Sequence, residues 1–169
     1  MMAVAVAAVS CNTEKKEQGN PFFAEWKTPF GVPPFDQIRN EHYLPAIDSG
    51  IVLARQNIAE ITSSEEAPTF ANTVAKFDRA DELLTKVAGV FYSQTSASTN
   101  DTLEALQMEI APKVSAFSDE VLLNADLFGR IKTVWETRDS SQLSAEELFL
   151  LDNLYKSFVR NGALLGPED

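Results

Sequence analysis

A chain of 169 residues with 44% hydrophobic residues is long enough to bury the core of one domain. Against 25 Asp and Glu it has only 14 Lys and Arg, and the net charge of −11 repels phosphate backbones, which argues against a nucleic-acid partner. One cysteine excludes an internal disulfide framework, and one histidine beside it is too little for metal-dependent or histidine-based hydrolysis by this chain alone.

The first residues differ in kind from the rest. Met1 to Ser10 contains only Met, Ala, Val and Ser, and Cys11 stands at its junction with the polar run Asn12 to Gln18. An apolar stretch that ends in small residues reads as a secretory signal. Ala8-Val9-Ser10-Cys11 resembles a bacterial lipobox, whose cysteine becomes the lipidated first residue. No Lys or Arg precedes the run and it is short for a signal core, both of which a start codon placed too far downstream would explain. The expectation is therefore a lipoprotein-like signal and polar tether over 1–18, with Cys11 as lipid attachment point and the protein in the cell envelope or periplasm. A greasy N-terminus with an incidental cysteine, and a cytoplasmic location, is the alternative.

From Gly19 to Pro45 the chain carries Pro21, Pro29, Pro33, Pro34 and Pro45 among Phe22, Phe23, Trp26, Phe30 and Phe35. Such proline density predicts no long helix, while the aromatics have apolar surface to bury. The segment reads as an extended arm packed on a helical body. Past Pro45, Leu44, Ile47, Ile51, Ala54, Ile58 and Ile61 fall at steps of three and four, which predicts an amphipathic helix ending at Thr62-Ser63-Ser64. Pro68 is placed for the first turn of a second helix, with Phe70, Val74, Phe77, Leu84, Val87 and Phe91 on one face. The small and polar run Ser93 to Asn100 reads as a loop, after which Asn100 or Asp101 caps the third helix.

That helix shows Leu103, Leu106, Ile110, Val114, Phe117 and Val121 on one side and is interrupted by Pro112, so a kink near Met108 is expected. A short fourth helix follows Asn124, with Leu127, Phe128, Ile131, Val134 and Trp135 apolar. In the fifth, Ser144 and Glu147 form a capping box, Leu148, Leu151, Leu154, Tyr155 and Phe158 form the face, and Asn161-Gly162 supplies a left-handed stop. No stretch alternates as strands require, so the fold is predicted to be all-α, with about five amphipathic helices behind the arm. Leu165-Gly166-Pro167-Glu168-Asp169 resembles the first turn of another helix, which is the expectation of a longer protein.

Chemistry-bearing constellations are sparse. His42 stands at the head of a helix beside Glu41, where capping or packing is favoured over general-base work. Asp81-Glu82, Asp119-Glu120 and Glu146-Glu147 fit the solvated faces of helices better than a calcium loop or a catalytic dyad. The glycines are isolated, so no glycine-rich phosphate loop is formed. No HExxH run occurs, and neither catalytic nor metal-binding residues are assigned.

Several phrases are distinctive in wording as well as pattern. Asn20-Pro21-Phe22-Phe23, Thr28-Pro29-Phe30-Gly31-Val32-Pro33-Pro34-Phe35-Asp36 and Glu41-His42-Tyr43-Leu44-Pro45-Ala46 come first. Ser98-Thr99-Asn100-Asp101, Glu109-Ile110-Ala111-Pro112 and Tyr155 to Ala163 follow in order. Together they resemble the beginning of the peptidyl-dipeptidase and thimet-oligopeptidase family of zinc metallopeptidases, its dipeptidyl carboxypeptidase branch above all, over about Asn20 to Asp169. The resemblance implies that 19–169 is the N-terminal helical region of a large helical enzyme that encloses oligopeptides in a channel. It also implies catalysis by zinc held in HExxH and a downstream glutamate, outside this stretch, leaving this region a scaffolding and substrate-gating role. Such a part, on its own, is expected to be inactive and to expose apolar stripes. The competing expectation is a stand-alone acidic helical lipoprotein that binds a peptide or partner helix in a groove between its helices.

Overall fold

The computed structural model describes residues 19–165, and every regular element among them is helical. The α-helices are α1 (Asn40–Thr62), α2 (Ala75–Asp78), α3 (Glu82–Ala97), α4 (Asp101–Leu122), α5 (Ala125–Glu136) and α6 (Ala145–Arg160). The all-α expectation is met. Three helix caps sit where the sequence starts its helices. Asn100 Oδ1 accepts from the amides of Thr102 and Leu103, each at 3.1 Å, and Asn124 Oδ1 accepts from Leu127 N at 2.9 Å. Ser144 Oγ accepts from Glu147 N at 3.2 Å while Ser144 N donates to the Glu147 carboxylate at 2.8 Å.

At the far end of α6, Gly162 takes φ +90°, a conformation open to a residue without Cβ. Gly162 N then donates to Val159 O and Ala163 N to Phe158 O, each at 3.1 Å. This pair of bonds reverses the chain and satisfies carbonyls that the helix leaves over.

α1 is the central element, packed against α3, α4, α2 and α5. It begins at Asn40, earlier than the proline count predicts, and holds Pro45 inside. The reason lies in outside support for its first turn. His42 Nδ1 accepts from Arg39 N at 3.1 Å, Asn20 Nδ2 donates to His42 O at 2.8 Å, and Tyr43 is fully buried. These contacts outweigh the one amide that Pro45 lacks. Against α3 the approach is close: a Cβ at Gly50 would lie 2.9 Å from Leu84 Cα, so only glycine fits without moving backbone.

The predicted second helix is in fact three pieces. A π-helical turn over Phe70–Val74 opens it, capped by Thr69 Oγ1, which accepts from Asn72 N at 3.1 Å, so Pro68 lies outside the first turn. α2 follows, and the chain turns at Arg79–Asp81 before α3. Asn57 of α1 donates to the Ala80 carbonyl exposed by that turn, at 2.8 Å. The apolar face survives the break because Val74, Ala80, Leu84, Val87 and Phe91 all remain buried.

Three further expectations are corrected. Ser93 to Ala97 is helical, since none of its residues breaks a helix and Tyr43 Oη donates to Gln94 Oε1 from α1. α4 runs through Pro112 as one helix; the proline removes only the amide that Met108 O would accept, and Leu103, Ile110 and Phe117 still reach the core. Leu148 is exposed rather than on the buried face of α6, where Leu151 and Phe158 carry the contact.

Candidate functional site

The residues with chemistry are dispersed and have structural partners. Arg55 of α1 donates to Glu120 of α4 at 2.6 Å, and this bond holds the Glu120 carboxyl below the usual carboxylate range. Glu147 is spent on its capping box, and Thr85 Oγ1 donates to Asp81 at 3.2 Å. His42 caps α1, as its place at the helix head predicts. Among the described residues no group of three or more His, Cys, Asp or Glu is gathered closely enough to hold a metal ion. Cys11 and Pro167 lie outside the described residues.

Two features do present surface for binding. The first is the arm. Its front part is docked: Phe22 is only 1% exposed and packs on Tyr43 at 5.4 Å between ring centres, and Tyr43 in turn meets Phe91 edge-on at 5.0 Å. Burial pushes the Tyr43 hydroxyl up from its ordinary pKa. Lys86 of α3 closes this contact. Its Nζ donates to Phe22 O at 3.1 Å and Ala24 O at 3.0 Å while lying 4.2 Å from the Trp26 ring centre. Partial burial lowers the Lys86 pKa. Beyond Trp26 the arm changes character: Phe30 is fully exposed with φ +60°, Gly31 follows at +68°, and Phe35 and Val32 are also exposed.

The second feature is a groove of about 470 Å³. Val114, Phe117, Val121 and Leu122 of α4 form one wall, Leu154, Ser157 and Phe158 of α6 the other, and the α2–α3 break with Ile58 and Leu84 the floor. Phe158 is held there by stacking on Phe128 of α5 at 5.8 Å and by an edge contact with Phe77 of α2 at 6.3 Å. Its apolar walls and two acids at the rim, Asp78 and Asp81, describe a site for an apolar surface rather than a reaction centre. The sequence raises a groove between helices only in its alternative reading and without saying which helices form it, and it does not mark the arm as a binding surface. The stripes of α4 and α6 were visible, but that they face a shared space depends on the turn at Arg79–Asp81, which no residue there announces.

No family model matches the chain. Curated proteins do. Dipeptidyl carboxypeptidase from Escherichia coli (strain K12) is 37% identical over 150 residues, which cover 89% of this chain and 22% of that protein. The dipeptidyl carboxypeptidase of Salmonella typhimurium matches at the same identity and coverage. By sequence, the chain is similar to an N-terminal portion of the dipeptidyl carboxypeptidases and, more distantly, of oligopeptidase A.

Oligopeptidase A from Escherichia coli (strain K12), 22% identical over 83% of the chain and 21% of its own length, marks the wider circle of these relatives. The chain spans about a fifth of the length of the curated relatives it matches and corresponds to an N-terminal portion of the dipeptidyl carboxypeptidase family.

Proposed function

We propose that this chain serves as the N-terminal helical part of a zinc-dependent oligopeptidase, contributing channel wall and substrate gating while the rest of the polypeptide carries out hydrolysis. The observation that carries this reading is the 37% identity to dipeptidyl carboxypeptidase over nearly the whole described fold. The residues in hand do not fit a zinc centre: the one histidine is committed to a helix cap and the sequence has no HExxH. The catalytic zinc of the proposed enzyme belongs to polypeptide outside this sequence, and no catalytic step is assigned to this chain.

Oligopeptides are the proposed substrates, with release of C-terminal dipeptides as the reaction. A chimera tests the reading directly. Exchanging the matched stretch of Escherichia coli dipeptidyl carboxypeptidase for this chain is expected to preserve chelator-sensitive release of dipeptides from the C-terminus of a peptide. A folded but inactive chimera sinks the proposal. The chain alone is expected to show no turnover, and chelator-sensitive cleavage by it would overturn the division of labour.

The apolar run before Cys11 supports attachment to the cell envelope by a lipid on that cysteine. Metabolic labelling with a fatty-acid analogue is expected to mark the native chain and not a Cys11→Ser variant. Labelling of neither would leave the incidental cysteine and the cytoplasmic reading standing. The second reading, an acidic helical lipoprotein that binds a peptide or partner helix by itself, is favoured by the groove between α4 and α6.

A further inference from the structure

We infer that the groove between α4 and α6 is the seat of an amphipathic helix, basic along one edge, supplied by the polypeptide that continues the peptidase beyond this stretch; this rests on the reading above. Three observations carry it. The first is the incompleteness of the packing. Val114, Val121 and Leu122 on α4 and Leu154 on α6 are only partly buried although they lie on the apolar faces of long helices, and all four line the same 470 Å³ space. Helices in a bundle bury such stripes against a neighbour, and here the neighbour's place is open.

The second observation is the path of the chain. The turn at the end of α6 is closed by Ala163 N on the carbonyl of Phe158, and Phe158 is itself part of the groove wall. The turn that closes α6 is thus tied to a residue of the groove wall, and helices joined by a short link pack as antiparallel neighbours. The relatives supply the length, since the matched stretch is 22% of the dipeptidyl carboxypeptidases.

The third is charge. Asp78 and Asp81 both line the groove, and Asp78 is exposed with no ion-pair partner among the described residues. A helix with Lys or Arg flanking its apolar stripe satisfies that edge, whereas a second copy of this acidic chain brings more negative charge to it.

The test uses the whole chain with Cys11→Ser and Ser118→Cys, the latter bearing an environment-sensitive dye at the groove. The probe is a synthetic peptide that copies the segment immediately after the matched stretch in Escherichia coli dipeptidyl carboxypeptidase. A saturable blue shift is expected, and Asp78→Lys, an exposed substitution, should weaken binding about fivefold, the order of one partly screened ion pair. Unchanged helical circular dichroism in that variant confirms that folding is not the cause. Absence of a shift overturns the inference, as does binding indifferent to Asp78→Lys. A shift that grows with concentration of the chain alone assigns the groove to a second copy instead. An active chimera combined with no peptide binding would refute the groove assignment while leaving the peptidase reading intact.

Discussion

The arm contains two short segments of almost the same composition with opposite fates. Asn20 to Trp26 and Thr28 to Phe35 are both built of proline and phenylalanine, and each contains one turn of 3₁₀ helix. Yet Phe22 is buried to 1% while Phe30 stands fully in solvent. Hydrophobicity does not separate them. What does is hydrogen bonding to the body: the first segment has Asn20 on His42 O of α1 and Lys86 of α3 on the carbonyls of Phe22 and Ala24. The second has its own Thr28 hydroxyl on Val32 O, a bond that closes the loop on itself and ties it to nothing else.

The largest way to break this contrast is Phe22→Ala, which should lower stability by about 3–5 kcal/mol, the range for deleting a large buried aromatic, read as the midpoint of urea unfolding. Lys86→Met removes charge-assisted bonds and the contact with Trp26 while keeping an apolar stem. A loss of about 1–3 kcal/mol is expected, with limited proteolysis cutting the arm ahead of the body. If the arm stays protected, the lysine is not what secures it.

Phe30→Gly works in the opposite direction. It relieves a left-handed residue of about 1–2 kcal/mol of backbone strain and sacrifices no buried surface, so the midpoint should stay level or rise. A fall comparable to that of Phe22→Ala would mean that the exposed segment packs after all.

The smallest effect sets the scale. The Arg55–Glu120 pair is half-exposed, and Glu120→Gln should lose less than about 1 kcal/mol. Since the folded Glu120 pKa lies below its unfolded value, its contribution is present above the unfolded carboxylate pKa and disappears as pH falls through the folded one. Native chain and variant should thus converge in stability in acid; persistence of the difference there removes the ion pair as its cause.

How far the sequence carried these results depends on the range of the interaction. Caps and stops are local: Asn100, Asn124, Ser144 with Glu147, and Gly162 act on amides within a few residues, so their roles could be read from spacing. The head of α1 is not local, because Asn20 reaches it across twenty-two residues and Pro45 therefore misleads. The turn at Arg79–Asp81 is satisfied by Asn57, again distant in sequence. Lys86 carries no local signal, because the carbonyls of Phe22 and Ala24 that it clasps lie 64 and 62 residues away along the chain. Of the binding surfaces, the stripes were legible, whereas which of the helices enclose the groove was not.

Gly50 brings these distant effects to a single point. The missing side chain sets the spacing between α1 and α3, and that pair carries the socket for Phe22 at one end, through Tyr43 and Phe91, and the groove floor at the other, through Ile58 and Leu84. A methyl group at position 50 would act as a wedge at a fulcrum, loosening the arm and widening the groove in one stroke. A relative that carries alanine there must have lengthened the gap between the two helices, and its arm and groove should have changed shape together.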